Sequence, residues 1–488
     1  LLVVSTDGEP TQRLAHDEEV PVPGYLLPEK PITSAEDYAQ TGGWKGLERA
    51  LSMTPEAVID EIKKSGLRGR GGAGFPTGIK WAGTRQKESP DGKKYLACNG
   101  AEGEPGTYKD RPLIALNPYQ LIEGVAIASL TIGADKAFIC LKEIFHPQIK
   151  RLSEAIAECE AKGYLGPDVL KSGRAVNVEL SIGPATYLYG EETAMLESIM
   201  GNAAMPRQVK PFEWGLPFSG GGIASPVVVN NVETLSHVAH IMRNGADWFK
   251  VIGPPRSPGN FIWTVSGDVA KPGFYELPMG TTMTELLKVA GGPKSGRRFK
   301  AAFPGGPSCG LLTPDKFDTP LDFDSLKKVD SGLGSGCVIV YDDTACMVHV
   351  AYNFSRFFSN ESCGQCFSCN WSTKEITHLL LKMEQGTGTE SDMFEAWEIT
   401  ERMPGKGRCF LINAESIIVR SILKHFPEEF SQHVGRPCPT PRTLPIPKIL
   451  DFNGKDFVYD TMDGELGRAN GQQFPVLVSD DHQFTRRI

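Results

Sequence analysis

The sequence predicts an α/β protein with a parallel-sheet domain, then a small α+β domain, then a helical bundle gripping a metal centre. Three observations carry this. From residue 94 to 245, short apolar runs alternate with amphipathic stretches in the order β-α-β-α-β, which buries a parallel sheet under crossover helices. Past the Pro- and Gly-containing linker 246–258 the order becomes β-β-α-β. Residues 345–435 then read as helices around three cysteines spaced C-x2-C-x2-C.

Composition bounds the rest. The 488 residues are 40% hydrophobic and 23% charged, with net charge −8, ordinary for a globular chain of two to four domains. The negative balance argues against general nucleic-acid or anionic-membrane binding. No run reaches the ~18 apolar residues of a membrane span. The start, Leu1 to Glu9, has no basic segment, so the reading expects no signal peptide and a cytoplasmic protein. Most of the eleven cysteines stand singly, often in apolar runs such as Ala137–Cys140, as core thiols of a reducing compartment do.

Taken in order, residues 1–33 read as an extended arm lying on a partner or another domain. Residues 34–66 hold two helices, one starting at Ser34-Ala35-Glu36-Asp37, the other at Thr54 with Pro55 at its first position and Gly66 at its end. The stretch Gly66–Trp81 follows, with six glycines in thirteen residues and Arg68, Arg70 and Lys80 among them. Glycines this dense let backbone N–H groups approach an anion without a Cβ clash. The stretch is a candidate cradle for a phosphate-bearing cofactor, a plain Gly-rich turn being the alternative.

Lys94–Cys98 is a buried strand ending in an acidic, Gly-rich turn, Asn99–Thr107, where binding loops of α/β sheets sit. Leu113–Ile132 is predicted as one helix, Lys136–Leu141 as a strand, Pro147–Lys162 as a helix and Ala175–Leu180 as a third strand. Tyr187–Ala194 leads into a helix through Met200. Glu191 and Glu192 at its start suit sugar hydroxyls or simple capping. The loop 206–226, with Phe212, Trp214 and Phe218, is read as a lid or subunit contact. The strand from Val227 ends in Asn230 and Asn231, amides suited to a flavin or nucleotide, and a helix runs on to Arg243. In the second domain, Phe261–Val265, Gly273–Leu277, Ala301–Phe303 and Val338–Tyr341 are strands. Thr282–Ala290 is a helix stopped by Gly291-Gly292. No obvious chemistry is written there.

Cys363, Cys366 and Cys369 let one compact turn wrap a metal centre and lack only a fourth ligand. Cys409 is the first candidate for it and Cys438 the second. The helices expected around them are Val348–Phe358, Ser372–Glu384, Ser391–Met403 and Ala414–Leu423. An iron–sulfur cluster fits this spacing. Zinc is the competing reading, but four-thiolate zinc sites usually come as two C-x2-C pairs.

Gly69–Trp81, Glu104–Thr107 with Lys109-Asp110-Arg111, Gly190–Ala194, Val229–Thr234 and Glu361–Cys366 occur in this order. Together they closely resemble the flavoprotein (51-kDa, NADH-binding) subunit of respiratory complex I. That subunit type also serves soluble NAD-linked hydrogenases, formate dehydrogenases and electron-bifurcating complexes. The similarity covers about residues 35–440. It implies an FMN/NADH-binding α/β domain (34–245), a ubiquitin-like β-grasp domain of SLBB type (259–342) and a bundle holding one [4Fe–4S] cluster (343–435). Outside it, composition leaves the N-terminal arm (1–33) and a Pro-rich tail (436–488), whose start, Arg436–Lys448, reads like the arm as a contact segment.

By the same resemblance, Gly69, Arg70, Gly71, Gly72, Gly74 and Lys80 take the phosphate side of FMN. Asn99, Tyr187, Gly190, Glu191, Asn230 and Asn231 surround its ribityl chain and ring, with Glu102 and Thr234 also at the cofactor. Phe75, Glu104 and Glu192 match positions touching NAD(H), and Cys363, Cys366, Cys369 and Cys409 match the cluster ligands. The implied reaction passes a hydride between NAD(H) and FMN and single electrons through the cluster. No side-chain acid or base is needed for the hydride step. A thioredoxin-like [2Fe–2S] subunit and further redox subunits of a hetero-oligomeric complex are the implied partners. The chain departs from the family pattern in the loop after Pro206 and in Asn370-Trp371 after Cys369, and two further departures bear on the cofactor site. Ala101 stands where an Asp is usual, and Ala82-Gly83 where a large apolar residue usually lies against the dinucleotide. The alternative they open is an electron-relay or structural subunit that has lost NAD(H) binding.

Overall fold

The computed structural model describes residues 24–89, 91–216, 224–440, 442 and 444–460. Most of the arm, Phe218 in the predicted lid, and the tail beyond Asp460 therefore lie outside the described residues.

The first domain opens with α1 (Ala35–Gln40), α2 (Lys45–Ser52) and α3 (Pro55–Ser65), one helix more than the sequence suggests. α3 has the predicted start: the Thr54 hydroxyl accepts from the Ala57 N–H at 3.2 Å, and Gly66 ends it at φ +73. Then come α4 (Thr77–Gln86), β1 (Tyr95–Asn99), α5 (Asp110–Leu116), α6 (Pro118–Ile132), β2 (Lys136–Lys142), α7 (His146–Ala161), β3 (Val178–Gly183), α8 (Glu192–Ile199), β4 (Val227–Asn231), α9 (Val232–Asn244) and α10 (Ala246–Lys250). The single helix expected over Leu113–Ile132 is two, bent by 105°. Pro118 cannot donate to the preceding turn, and Asn117 leaves helical geometry to cap α6 through the Gln120 N–H. The third strand begins three residues later than expected, because Val176 bridges Gly166 instead.

β1 to β4 form one sheet in the order β3-β2-β1-β4, and every neighbouring pair is parallel. Register places Asn99 of β1 beside Asn231 of β4, and Cys98 beside Asn230. The chain leaves β1 towards β2 on one side, while β4 lies on the other. The carboxyl ends of β1 and β4 are therefore a topological switch point, where open α/β sheets hold their ligands. α6, wholly buried, and α9 cover one face.

The second domain is a mixed sheet of β5 (Asn260–Gly267), β6 (Gly273–Pro278), β7 (Phe299–Phe303) and β8 (Cys337–Asp342), with α11 (Met283–Val289) after the β5–β6 hairpin. Its order is β6-β5-β8-β7, with β5 and β8 parallel at the centre. α11 starts with a capping box between Thr282 and Glu285. The third region packs α12 (Met347–Glu361), α13 (Phe367–Glu384), α14 (Glu390–Arg402), α15 (Leu411–His425) and α16 (Pro427–Gln432) around one apolar core.

The tail is expected as a contact segment, and its described part contacts this same chain. β9 (Ile449–Phe452) and β10 (Phe457–Tyr459) pair antiparallel. Phe452 and Phe457 pack on Tyr108 and Phe274, and Arg442 bridges Asp268 and Asp342. The described end of the arm is tied similarly, since Glu276 of β6 accepts the N–H groups of Tyr25, Leu26 and Leu27. Among the described residues no single helix is long and apolar enough to cross a membrane.

Candidate functional site

A cavity of about 1250 Å³ opens at the switch point, roomy enough for a cofactor and a second ligand. One wall is the glycine turn between α3 and α4. The Gly69 N–H donates to the Phe75 carbonyl at 2.9 Å and the Thr77 N–H to that of Leu67 at 2.9 Å, closing the turn. Gly72 and Gly74 hold φ +125 and +62, backbone that L side chains rarely adopt. Among the described residues, no protein acceptor takes the N–H groups of Gly71, Gly72, Ala73 or Gly74. Open amides on a glycine turn are the donor set a phosphate needs. Lys80 stands beside them, 2.5 Å from Glu192.

The floor is the strand ends. Asn99 donates to the Gly190 carbonyl at 2.8 Å and accepts from the Ala101 N–H at 3.1 Å. Asn231 caps α9 through the Glu233 N–H, accepts from Lys109 Nζ at 3.1 Å and donates to Asp110 at 2.6 Å. Asn230 accepts from the Trp81 indole at 2.7 Å. The amides are thus held in fixed orientations by buried neighbours. Tyr187 donates to Glu104 at 2.6 Å, and Ser308 also donates to this carboxylate. Burial pushes the Glu104 carboxyl above its ordinary range despite these donors.

Every predicted cofactor residue except Arg70 lines this cavity. Arg70 is a correction: its guanidinium turns into the core, donates to the Pro258 carbonyl at 2.7 Å and lies over the Phe261 ring. Only its N–H, bound to the Thr234 hydroxyl at 2.8 Å, fixes the loop. Glu102 lines the cavity, but its carboxylate is taken by Arg111 at 2.7 Å and by the N–H groups of Lys109 and Asp110. Glu191 is the capping residue of α8, accepting from Thr193 and Ala194. The missing apolar platform at Ala82-Gly83 bears on no ligand in this cavity: neither residue lines it, and Gly83 faces open space. Ala101 does line it.

Sequence reasoning missed the opposite walls. The second domain contributes Gly305, Ser308, Phe323, Lys327 and Gly332–Ser335, and the bundle contributes Trp397, Phe410, Arg420 and Lys424. Two Gly-rich turns, Pro304–Gly310 and Ser331–Gly336, were the available signal. Lys109 enters the sequence reading only as part of a motif. It is buried, paired with Asp110 at 2.7 Å and Glu233 at 3.0 Å, and lines the cavity.

A second, small cavity is lined by Cys363, Cys366, Cys369 and Cys409 together. The N–H of Arg408 donates to Cys366 Sγ, and Gln365 to Cys363 Sγ, each at 3.4 Å; Ser362 lies 3.4 Å from Cys369 Sγ. Such donors to sulfur tune an iron–sulfur centre. Cys438, the second candidate for fourth ligand, is elsewhere, beside Cys346 and His433. Cys409, Leu188 and Leu411 belong to both cavities, so the two share a wall.

The chain matches three family descriptions: "Nuo51 FMN-binding domain" over residues 62–240, "SLBB domain" over 262–312, and "NADH-ubiquinone oxidoreductase-F iron-sulfur binding region" over 349–433. It is 43% identical over 405 residues to the F 2 subunit of NADH-quinone oxidoreductase of Rhizobium meliloti (strain 1021), covering 82% of this chain and 95% of that one. It is 36% identical over 418 residues to the NADP-reducing hydrogenase subunit HndC of Solidesulfovibrio fructosivorans, covering 85% and 83%. Among solved structures it is similar to an air-oxidized NAD+-reducing [NiFe]-hydrogenase chain, with TM-score 0.69 and 34% identity. That match covers 82% of this chain but 65% of the hydrogenase chain.

Proposed function

Because the chain belongs to the family of NADH-quinone oxidoreductase F subunits, we propose that it passes a hydride between NAD(H) and FMN and sends single electrons through a [4Fe–4S] cluster to partner subunits. It is an oxidoreductase subunit with FMN-binding and 4Fe–4S-binding regions. The shared wall between the large cavity and the four-cysteine pocket carries the reading. A two-electron donor and a one-electron acceptor must meet across a short distance, and FMN supplies the conversion between them.

The residues present fit the flavin. The free amides of Gly71–Gly74 and the ammonium of Lys80 complement a phosphate. The oriented amides of Asn99, Asn230 and Asn231 offer donors and acceptors for the ribityl chain and ring. Cys363, Cys366, Cys369 and Cys409 hold the cluster. Exposed Phe75 at the glycine turn, half-buried Glu104 and Glu192 are the dinucleotide contacts. We place the domains at 34–245, 259–342 and 343–435, and the outgoing electrons on a thioredoxin-like [2Fe–2S] subunit.

One observation favours the second reading, a relay without NAD(H) binding: Ala101 brings no carboxylate to the cavity floor. Gly83 does not add to it. An anaerobic NADH titration, after FMN and iron analysis, separates the two. Flavin bleaching followed by a reduced-cluster signal supports hydride exchange. Flavin that dithionite reduces and NADH leaves untouched supports the relay.

A further inference from the structure

Behind the cluster helices, four metal-ligating side chains meet away from both cavities. Cys346 precedes α12, Glu384 ends α13, His433 follows α16, and Cys438 lies between Pro437 and Pro439. One ligand atom from each lies within 4.8 Å of all the others. Cys346, Glu384 and His433 are buried, and Cys438 is half-buried. We propose that these residues form a structural zinc site.

The donor set fits that ion. Two thiolates, an imidazole and a carboxylate make a closed four-coordinate set for zinc, with no position left for substrate. Sulfur ligands exclude magnesium and calcium, which take oxygen. The surrounding groups are already oriented. His433 Nδ1–H donates to the Glu429 carbonyl at 2.6 Å, which leaves the Nε2 lone pair facing Cys346 Sγ at 3.4 Å. His349 Nδ1 lies 3.0 Å from Glu384 Oε1 and steers that carboxylate. Outer partners of this kind fix tautomer and ligand direction.

Bonds of about 2.0–2.3 Å to a tetrahedral zinc require the four atoms, within 4.8 Å of one another, to draw together by at most roughly 1–1.5 Å. Both thiols lose their protons to solvent on binding. The ion would tie the start of the tail to three helices. Four residues later Arg442 grips Asp268 and Asp342, so the same staple fixes the second domain against the bundle.

The test is metal analysis of the anaerobically purified, cluster-containing protein grown in zinc-replete medium. About one zinc per chain is expected beside the cluster iron, with zinc-edge absorption fitting two sulfurs at about 2.3 Å and two lighter ligands at about 2.0–2.2 Å. In His433→Ala/Cys438→Ala, zinc falls to background while iron and flavin stay. If that variant does not fold, the absorption spectrum of the unaltered protein still decides. Absence of zinc overturns the site. So does a four-sulfur zinc spectrum, which would put the ion in the Cys363 pocket, or a Cys346–Cys438 disulfide in the unaltered protein.

Discussion

His237 is buried among Arg70, Glu233, Tyr25, His240 and Phe249. Burial first, then the Arg70 charge, push its imidazole down to about 4, against the pull of Glu233. The folded chain therefore holds it neutral where the unfolded chain, at about 6.5, is already protonated. Stability from this group is full above pH 6.5 and is lost as pH falls towards 4. His237→Gln should flatten that loss by about 2 kcal/mol between pH 7 and 5, read as a smaller shift of the urea midpoint than in the unaltered protein. Gly74 makes a second prediction. A Cβ there would stand 2.6 Å from the Phe323 ring, at φ +62, so Gly74→Ala adds about 1–2 kcal/mol of backbone strain and should weaken FMN about tenfold in a fluorescence titration. Residue types at this turn were legible in the sequence, because glycine has few other reasons to cluster. Directions were not. Arg70 reads as a phosphate ligand by type and proximity, yet it is the buried partner of His237 and Pro258, residues distant in sequence.

Elements were legible where local chemistry ends them. Thr54-Pro55 and Gly66 bound α3, and the acidic start of α8 serves as a cap. The α5–α6 break was also written, in Asn117-Pro118, but the apolar run across it outweighed the proline in the reading. The start of β3 depends on its pairing partner, so no local pattern announced it, whereas the β9–β10 hairpin carries a local turn signal, Asn453-Gly454 with Gly454 at φ +90, that the strand pattern alone does not use. Packing between elements overrides propensity at Gly124, in the middle of α6. Host–guest scales make Gly→Ala in a helix favourable by about 1 kcal/mol. Here the new Cβ would lie 1.9 Å from the Leu235 carbonyl of α9, and two helices must separate, an overpacking cost of about 1–3 kcal/mol or more. Gly124→Ala should therefore lower the thermal midpoint, and a rise would show that the α6–α9 contact yields easily.

At the scale of the molecule, the order of domains was legible and the site's closure was not. Motifs in the first domain and the cysteine run announce a cofactor and a cluster. That Ser308, Gly334 and Phe410 face the glycine turn across one cavity follows from how three domains pack, which no motif spacing encodes. The packing also joins the two cavities, since Cys409 is at once a wall of the large cavity and a member of the cysteine pocket. Its backbone stays in place in Cys409→Ser, while a hydroxyl replaces the thiol at the proposed fourth ligand position. The cluster should lose iron, because three thiolates hold it less firmly than four. The flavin side keeps the polar contacts of Lys80, Asn99 and Asn231. NADH should then still bleach bound FMN at a comparable rate, while reduction of an iron–sulfur partner protein falls at least tenfold. Loss of flavin bleaching together with the iron would instead mean that the shared wall shapes the dinucleotide side as well, and that the two cavities are one functional unit.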